Sequence, residues 1–528
     1  MFSRINSRSV AAMLSIAATL SIFGSPACLA NAPVTVSCDA SKIVTTTNLF
    51  TYGINGFRAM DANAITPSYL SGLNQLNTRF IRLHNGLMMT PSSAANQNGW
   101  YFGWLLNDPG TTPASQVTWD ENKIHALLEK LPSNSQIMID IVNWPSAWAI
   151  QAGVSYPIGP SNQLVSYPKG DPHVGRLNPR YYGAYASLCA KLVKIVQQTR
   201  HVHYWEILNE VDHLYWAWMS HTNVDLNSVS TIYNQTAIAM KAVDPTILTG
   251  GPAIQDPSDT AHQFGYYNNK VWNPGLLSML LPNLDFYTFH LYDDEDVSFG
   301  ANNQQLFQIT RNNFSVAQSI VQGVKSVVAS SKNPTKVIPV FWDEYNVNGN
   351  TYNPKQITAV VSHAVPGEPD PRINTNAGAV CDAIVNIEAL RAGVAKTLAF
   401  CDGPAWYGHL LTASKSSAAD TPVPSGYTLG LLNSFFAGSI FQTQSSDETQ
   451  VLTLGCTGAG GTSILLVNQN STPTNVTLKL QQSYSSSAAV TEYIIDGTSY
   501  RRERTNLQPI LTSGLTLTPE SVTVIKLP

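Results

Sequence analysis

Between residues 52 and 401, short apolar runs alternate with longer stretches whose apolar positions recur every three or four residues. The short runs are Tyr52–Gly56, Phe80–His84, Ile137–Val142, His203–Asn209, Ile247–Pro252, Leu284–Tyr292, Val337–Trp342 and Thr397–Cys401. Their length and their β-branched and aromatic content predict buried strands. Helical spacing falls between them at Ser68–Leu76, Asp120–Leu131, Tyr181–Val196, Val229–Val243, Phe314–Val328 and Ala377–Ala392. Strands alternating with helices call for a parallel sheet, and about eight repeats over this length fit a closed (β/α)8 barrel. A doubly wound open sheet would carry a Gly-rich phosphate turn after its first strand, and none follows Asn55.

Past residue 440 the pattern changes to short β-prone runs, such as Val451–Leu454, Ser463–Val467, Val476–Leu480 and Val522–Leu527, broken by Gly, Ser, Asn and Thr. This predicts an antiparallel β-sandwich. The Thr- and Val-rich stretch from Val34 to Phe50 has no place in a barrel and is expected to join the sandwich. The expected organisation is therefore strands at 31–50, a catalytic barrel at 51–440 and a β-sandwich at 441–528. Residues 1–30 are set apart. Arg4 and Arg8 precede an apolar segment from Val10 to Gly24, and small residues lead to Ala30, the order of a secretory signal peptide. Export to the periplasm or the medium is expected. No later run has the length and apolarity of a membrane span.

Composition narrows the partners. Charged residues make up 12% of the chain and the formal net charge is −4. That field is too weak to argue for nucleic acid or an anionic membrane surface. Five cysteines follow the signal segment: Cys38, Cys189, Cys381, Cys401 and Cys456. The odd number rules out a complete disulfide framework. Cys38 and Cys456 could pair if their β segments meet; otherwise all five are small buried hydrophobes. No metal-ligand spacing appears.

Two carboxylates stand where apolar runs give way to polar residues. One is Glu210, after Asn209 in Trp205-Glu206-Ile207-Leu208-Asn209-Glu210; the other is Glu344, in Trp342-Asp343-Glu344. In a barrel the C-terminal strand ends carry the catalytic groups. Two acids on one mouth suit glycoside hydrolysis, one as proton donor and one as nucleophile. Glu206 lies an even offset from Glu210 and is expected to share its face of the strand, whereas Asp343 is offset by one from Glu344 and is expected to face away. Asp293-Asp294-Glu295-Asp296 supplies oxygen ligands but lacks the spacing of a calcium loop, so a solvated loop is expected there.

Together with Thr249-Gly250-Gly251-Pro252-Ala253 and Phe289-His290-Leu291-Tyr292, these motifs resemble the strand ends of clan A glycoside hydrolases. The pattern looks most like family 39, the β-xylosidase and α-L-iduronidase family, with family 51 arabinofuranosidases next. The resemblance spans residues 52–406 and extends to the β-sandwich. It implies an enzyme that needs no cofactor or metal and that cleaves oligosaccharides or polysaccharides with retention through a glycosyl-enzyme intermediate. Glu210 would be the acid/base and Glu344 the nucleophile, ~5–5.5 Å apart. Asn209 would bond the sugar 2-hydroxyl, and Arg82 and Tyr292 would hold the nucleophile. Trp406 matches the clan's sugar platform. His84, His290 and Trp144 would line the pocket; ordinary core packing is the competing reading for these three and for Trp406, and a barrel-interior charge with a carboxylate partner is the competing reading for Arg82. Arabinofuranoside cleavage, endo action, and carbohydrate binding on an inactive barrel are the alternatives.

Overall fold

The computed structural model describes residues 32–84, 103–158, 163–166, 168–169, 174–211, 223–255, 272–293, 299–347, 370–403, 408–410, 420–485, 487–497 and 500–528. The expected signal segment, Trp406 and Asp294–Asp296 lie outside them.

Its strands are, in chain order, β1 (Val34–Thr46), β2 (Tyr52–Asn55), β3 (Phe80–Leu83), β4 (Gln136–Ile141), the hairpin β5 (Ser155–Ile158) and β6 (Gln163–Ser166), β7 (Tyr204–Ile207), β8 (Leu248–Ile254), β9 (Phe286–His290), β10 (Val340–Tyr345) and β11 (Lys396–Ala399). The strands β2, β3, β4, β7, β8, β9, β10 and β11 close, in that order, into an eight-stranded parallel barrel. The helices are α1 (Pro67–Leu76), α2 (Glu121–Lys130), α3 (Tyr182–Thr199), α4 (Asn223–Val243), α5 (Trp272–Leu280), α6 (Asn303–Ala329), α7 (Asn376–Ala392), α8 (Pro424–Phe435) and α9 (Leu507–Ser513). Local sequence starts several of them. Thr66 caps α1 by accepting from the Tyr69 amide, with Pro67 in the first turn, and Asn302 and Gln305 form a reciprocal capping box on α6.

Inside the barrel, the N-terminal end is filled by Phe80, Met138, Phe286, Phe341 and Leu398, with Tyr204 and Leu248 against them. Phe286 and Phe341 stack with ring centres 4.9 Å apart. Gly250 leaves room for this layer, since a Cβ there would meet the Phe286 ring at 2.1 Å. The Lys396 ammonium closes the end, 4.5 Å from the centre of the Phe80 ring and bonded to the Phe50 carbonyl.

Beyond the barrel come β12 (Ser439–Ser445), β13 (Val451–Gly458), β14 (Gly461–Asn468), β15 (Thr474–Leu480), β16 (Ala489–Ile495), β17 (Tyr500–Asn506), β18 (Leu515–Leu517) and β19 (Ser521–Lys526). Hydrogen bonding runs unbroken through β17-β16-β19-β14-β13-β12-β1-β15-β18, so the β domain is one nine-stranded sheet rather than two separately bonded layers. It is antiparallel except for the parallel β1–β15 pair. Period-2 alternation gives it two apolar faces. Ile440, Leu465 and Val524 join the core shared with the barrel, while Phe441, Ile464 and Ile525 line a second core with Leu507 and Ile510 of α9. Cys38 belongs to the second core and Cys456 to the first, on opposite faces of the sheet; both are free and buried. Helix α7 is buried on almost all sides, which explains why Ala, Val and Ile recur around its whole circumference.

Candidate active site

Arg82 of β3 organises the C-terminal end of the barrel interior. It follows Phe80 by two residues, so it rises from the same inner row, and it has no exposed surface. Its Nε donates to Glu206 Oε2 (2.6 Å), Nη1 to Asn55 Oδ1 (2.8 Å) and Glu344 Oε1 (2.6 Å), and Nη2 to Asp140 Oδ2 (2.9 Å) and Asn209 Oδ1 (2.7 Å). Although burial opposes the charge, Asp140, Glu206, Asp343 and Glu344 hold the guanidinium protonated well above its usual range.

Glu344 is held from both sides. Arg82 takes Oε1 and the Tyr292 hydroxyl donates to Oε2 at 2.7 Å. His84, 3.6 Å from Oε1 through Nε2, bonds Asp140 through Nδ1 at 2.7 Å. Across the mouth, Glu210 Oε1 pairs with His290 Nδ1 at 2.9 Å, and His290 Nε2 lies 3.3 Å from Glu344 Oε1. Donor atoms of Glu210, His290 and Glu344 all fall within 4.8 Å of one another. Burial pushes the Glu210 carboxyl up to about 7, with Arg82 opposing and Asp140 adding to the rise. Burial, reinforced by Arg82, lowers His84 to about 4. Burial also lowers His290 to about 4, so both imidazoles are neutral at neutral pH.

The local backbone explains how neighbouring residues share this pocket. Strand β7 ends at Ile207, and Leu208 (φ 70°) and Glu210 (φ 48°) both adopt left-handed conformations. These break the alternation, so Asn209 and Glu210 both point inward; inward pointing of Glu206 follows the strand, but that of Glu210 does not. The Glu210 amide is tied to the Ala253 carbonyl at 2.8 Å, and the Gly251–Pro252 bond just upstream is cis.

Asp343 corrects the expectation that it faces away. Phe341 points into the barrel, and alternation carries Asp343 inward as well, where it is fully buried 3.4 Å from Arg82 Nε. Glu344 is the residue that departs from alternation. The pairing of β10 slips on both sides after Trp342, with Trp342 opposite Phe289 but Glu344 opposite His290, and this bulge turns Glu344 inward too.

Arg82, His84, Asn209, Glu210, His290, Tyr292 and Glu344 are thus brought together. Trp144 is 5% exposed and packed in the core, its indole N–H bonded to the Gly175 carbonyl. Asp293, buried with Thr310 and Asn313, bonds inward rather than toward solvent. Sequence reasoning missed Asn55, Asp140 and Phe400. Asn55 and Asp140 lie at the ends of apolar runs, a signal that was available. Phe400 follows β11, with its ring centre 6.3 Å from that of Tyr292 and 5.9 Å from that of His84.

Glu210, His290 and Glu344 also converge closely enough to invite a metal ion, but they fit one poorly. Both oxygens of Glu344 already accept hydrogen bonds, and a buried guanidinium 2.6 Å from one of them would face the cation.

No family model matches the chain, and no curated protein sequence matches it. Solved structures do. The chain is similar to a bifunctional glucanase-xylanase from a metagenome library, at 14% identity and a TM-score of 0.57, over 94% of this chain and 99% of that one. It is similar to a family 51 α-L-arabinofuranosidase from Bifidobacterium longum, at 12% identity and a TM-score of 0.57, over 94% and 99%. A GH39 β-xylosidase from Caulobacter crescentus matches at 14% identity and a TM-score of 0.54, over 93% and 99%. At these identities the likeness establishes a shared fold, barrel and β domain together.

Proposed function

We propose that this protein is a retaining glycoside hydrolase with Glu210 as acid/base and Glu344 as nucleophile. The observation that carries the reading is the contrast between two facing carboxyl groups. Glu210 holds a proton up to about pH 7 because it is buried beside a neutral histidine. Glu344 is clamped by a guanidinium and a phenol, the surroundings of an anion. One oxygen of each lies within 4.8 Å of the other, which suits direct attack on an anomeric carbon better than the ~6.5–9.5 Å that leaves room for an attacking water.

In the first step Glu344 attacks the anomeric carbon while Glu210 gives its proton to the departing oxygen. Asn209 turns its carbonyl to Arg82, which leaves its amide N–H2 as the donor for a sugar hydroxyl. In the second step the Glu210 carboxylate takes a proton from water as that water displaces Glu344. Xyloside cleavage is the first substrate reading, from the family 39 resemblance. Arabinofuranosides are the second, because the Asn209–Glu210 pair is shared with that family and arabinofuranosidases are among the structural neighbours. Export is proposed from the pattern of residues 4–30, and exported protein should begin at Asn31 on N-terminal sequencing.

The test is hydrolysis of aryl xylosides, arabinofuranosides, glucosides and uronides by wild type and Glu344→Gln. Release from one sugar by wild type alone supports the reading and names the glycone. Equal release by both proteins removes Glu344 from the mechanism.

A further inference from the structure

β10 delivers a second carboxyl group to the site, and the hydrogen bonds leave it without a donor. Arg82 has five N–H groups. Each is used: one by Glu206, one by Asn55, one by Glu344, one by Asp140 and one by Asn209. Asp343 is left with an oxygen 3.4 Å from Nε and the other 3.8 Å from His290 Nε2, both beyond a good hydrogen bond. Among the described residues neither of its oxygens has a hydrogen-bond partner, and Glu206 Oε1, also buried, has none either. Yet Asp343 and Glu206 meet at one atom, Arg82 Nε, which lies 3.4 Å from Asp343 Oδ2 and 2.6 Å from Glu206 Oε2. Ionised, Asp343 would be a bare charge in the protein interior beside Glu206 and Glu344. One hydrogen between the two groups gives an oxygen of each a partner.

We propose that Asp343 is a positioning residue that stays protonated and donates its hydrogen to Glu206 Oε1, leaving the charge of Arg82 to Glu344. This rests on Glu344 being the nucleophile. The groups facing Asp343 are Arg82 from β3, Glu206 from β7, His290 from β9 and Glu344 from its own strand; Asp140 and His84 join through Arg82 and Glu344. Burial first, then Glu206, hold the Asp343 carboxyl well above the usual carboxylate range, against the pull of Arg82. Were Asp343 to ionise, it would compete with Glu344 for the Arg82 guanidinium.

Asp343→Asn keeps the shape and replaces the O–H donor with N–H, whereas Asp343→Leu leaves Glu206 Oε1 bare. In pH profiles on the hydrolysed aryl glycoside, Asn should stay within about 3-fold of the wild-type kcat, and Leu should lose about 10- to 100-fold. The acid limb of the Leu profile should also move to higher pH, a change that simple loosening of the fold would not produce. An Asn variant as impaired as Leu would overturn the proposal. Infrared difference spectra of wild type against Asp343→Asn at pH 7 read the proton without any turnover, and decide the matter should the Leu variant not fold. Loss of a protonated-carboxyl C=O band is expected, and loss of carboxylate bands alone would overturn the assignment. Undiminished hydrolysis by Glu344→Gln would instead remove the nucleophile reading and leave the infrared result standing.

Discussion

The two ends of the barrel interior are built from the same strands and share no chemistry. Along β3, β4, β7 and β10 the inner row reads Phe80 then Arg82, Met138 then Asp140, Tyr204 then Glu206, Phe341 then Asp343. A step of two residues, about 7 Å, separates a close-packed aromatic layer from one guanidinium ringed by acids. The apolar layer supplies stability by excluding water. Above it, burial makes each charge costly unless it is paired, and the pairing is uneven: Glu344 is clamped while Glu210 keeps its proton. The contrast shows how one framework both stabilises the fold and gives two facing carboxyl groups different surroundings.

Substitutions at the two ends should therefore separate activity from stability. Arg82→Met removes the cation that, among the described residues, bonds Glu206, Asp140 and Glu344. It should cost about 3–5 kcal/mol in chemical denaturation and lower kcat by at least about 10³-fold. At the other end, Phe286→Ala should cost a similar ~3–5 kcal/mol, yet leave kcat within a few-fold in a variant still folded at the assay temperature.

Glu210→Gln sharpens the contrast with the opposite sign. Folded Glu210 keeps its proton to about pH 7, whereas the unfolded chain releases it near the usual glutamate value. The folded state thus binds the extra proton, and wild-type stability falls as pH rises through that window. Glutamine removes the penalty. Melting curves should coincide near pH 4 and favour the variant by up to ~3 kcal/mol at pH 8, while turnover of substrates with poor leaving groups falls by about 10²–10⁴-fold. The smallest effect is expected for Tyr292→Phe, which removes one hydrogen bond to Glu344 and should lower kcat by about 10-fold.

The eight strands were legible because a strand buried on both faces reads as an unbroken apolar run, and Glu210 and Glu344 were legible because they end such runs. Side-chain direction was not. Alternation predicts one inward residue in two, but left-handed Leu208 and Glu210 put Asn209 and Glu210 inward together, and the slip after Trp342 does the same for Asp343 and Glu344. Neither device is marked by a glycine, so neither shows in the sequence. Trp144 was ambiguous for another reason: an aromatic at a strand end looks the same in sequence whether it meets a sugar or packs in the core. In the β domain, period-2 runs predicted strands but not that their hydrogen bonds would continue through β1 into one sheet.

The most direct test of the two-carboxylate account is proton NMR of the sugar released in the first minutes of hydrolysis, before mutarotation. The account predicts that the first anomer formed has the configuration of the glycoside, as a covalent intermediate on Glu344 requires. Release of the opposite anomer would mean that water attacks directly, and would contradict the nucleophilic role of Glu344.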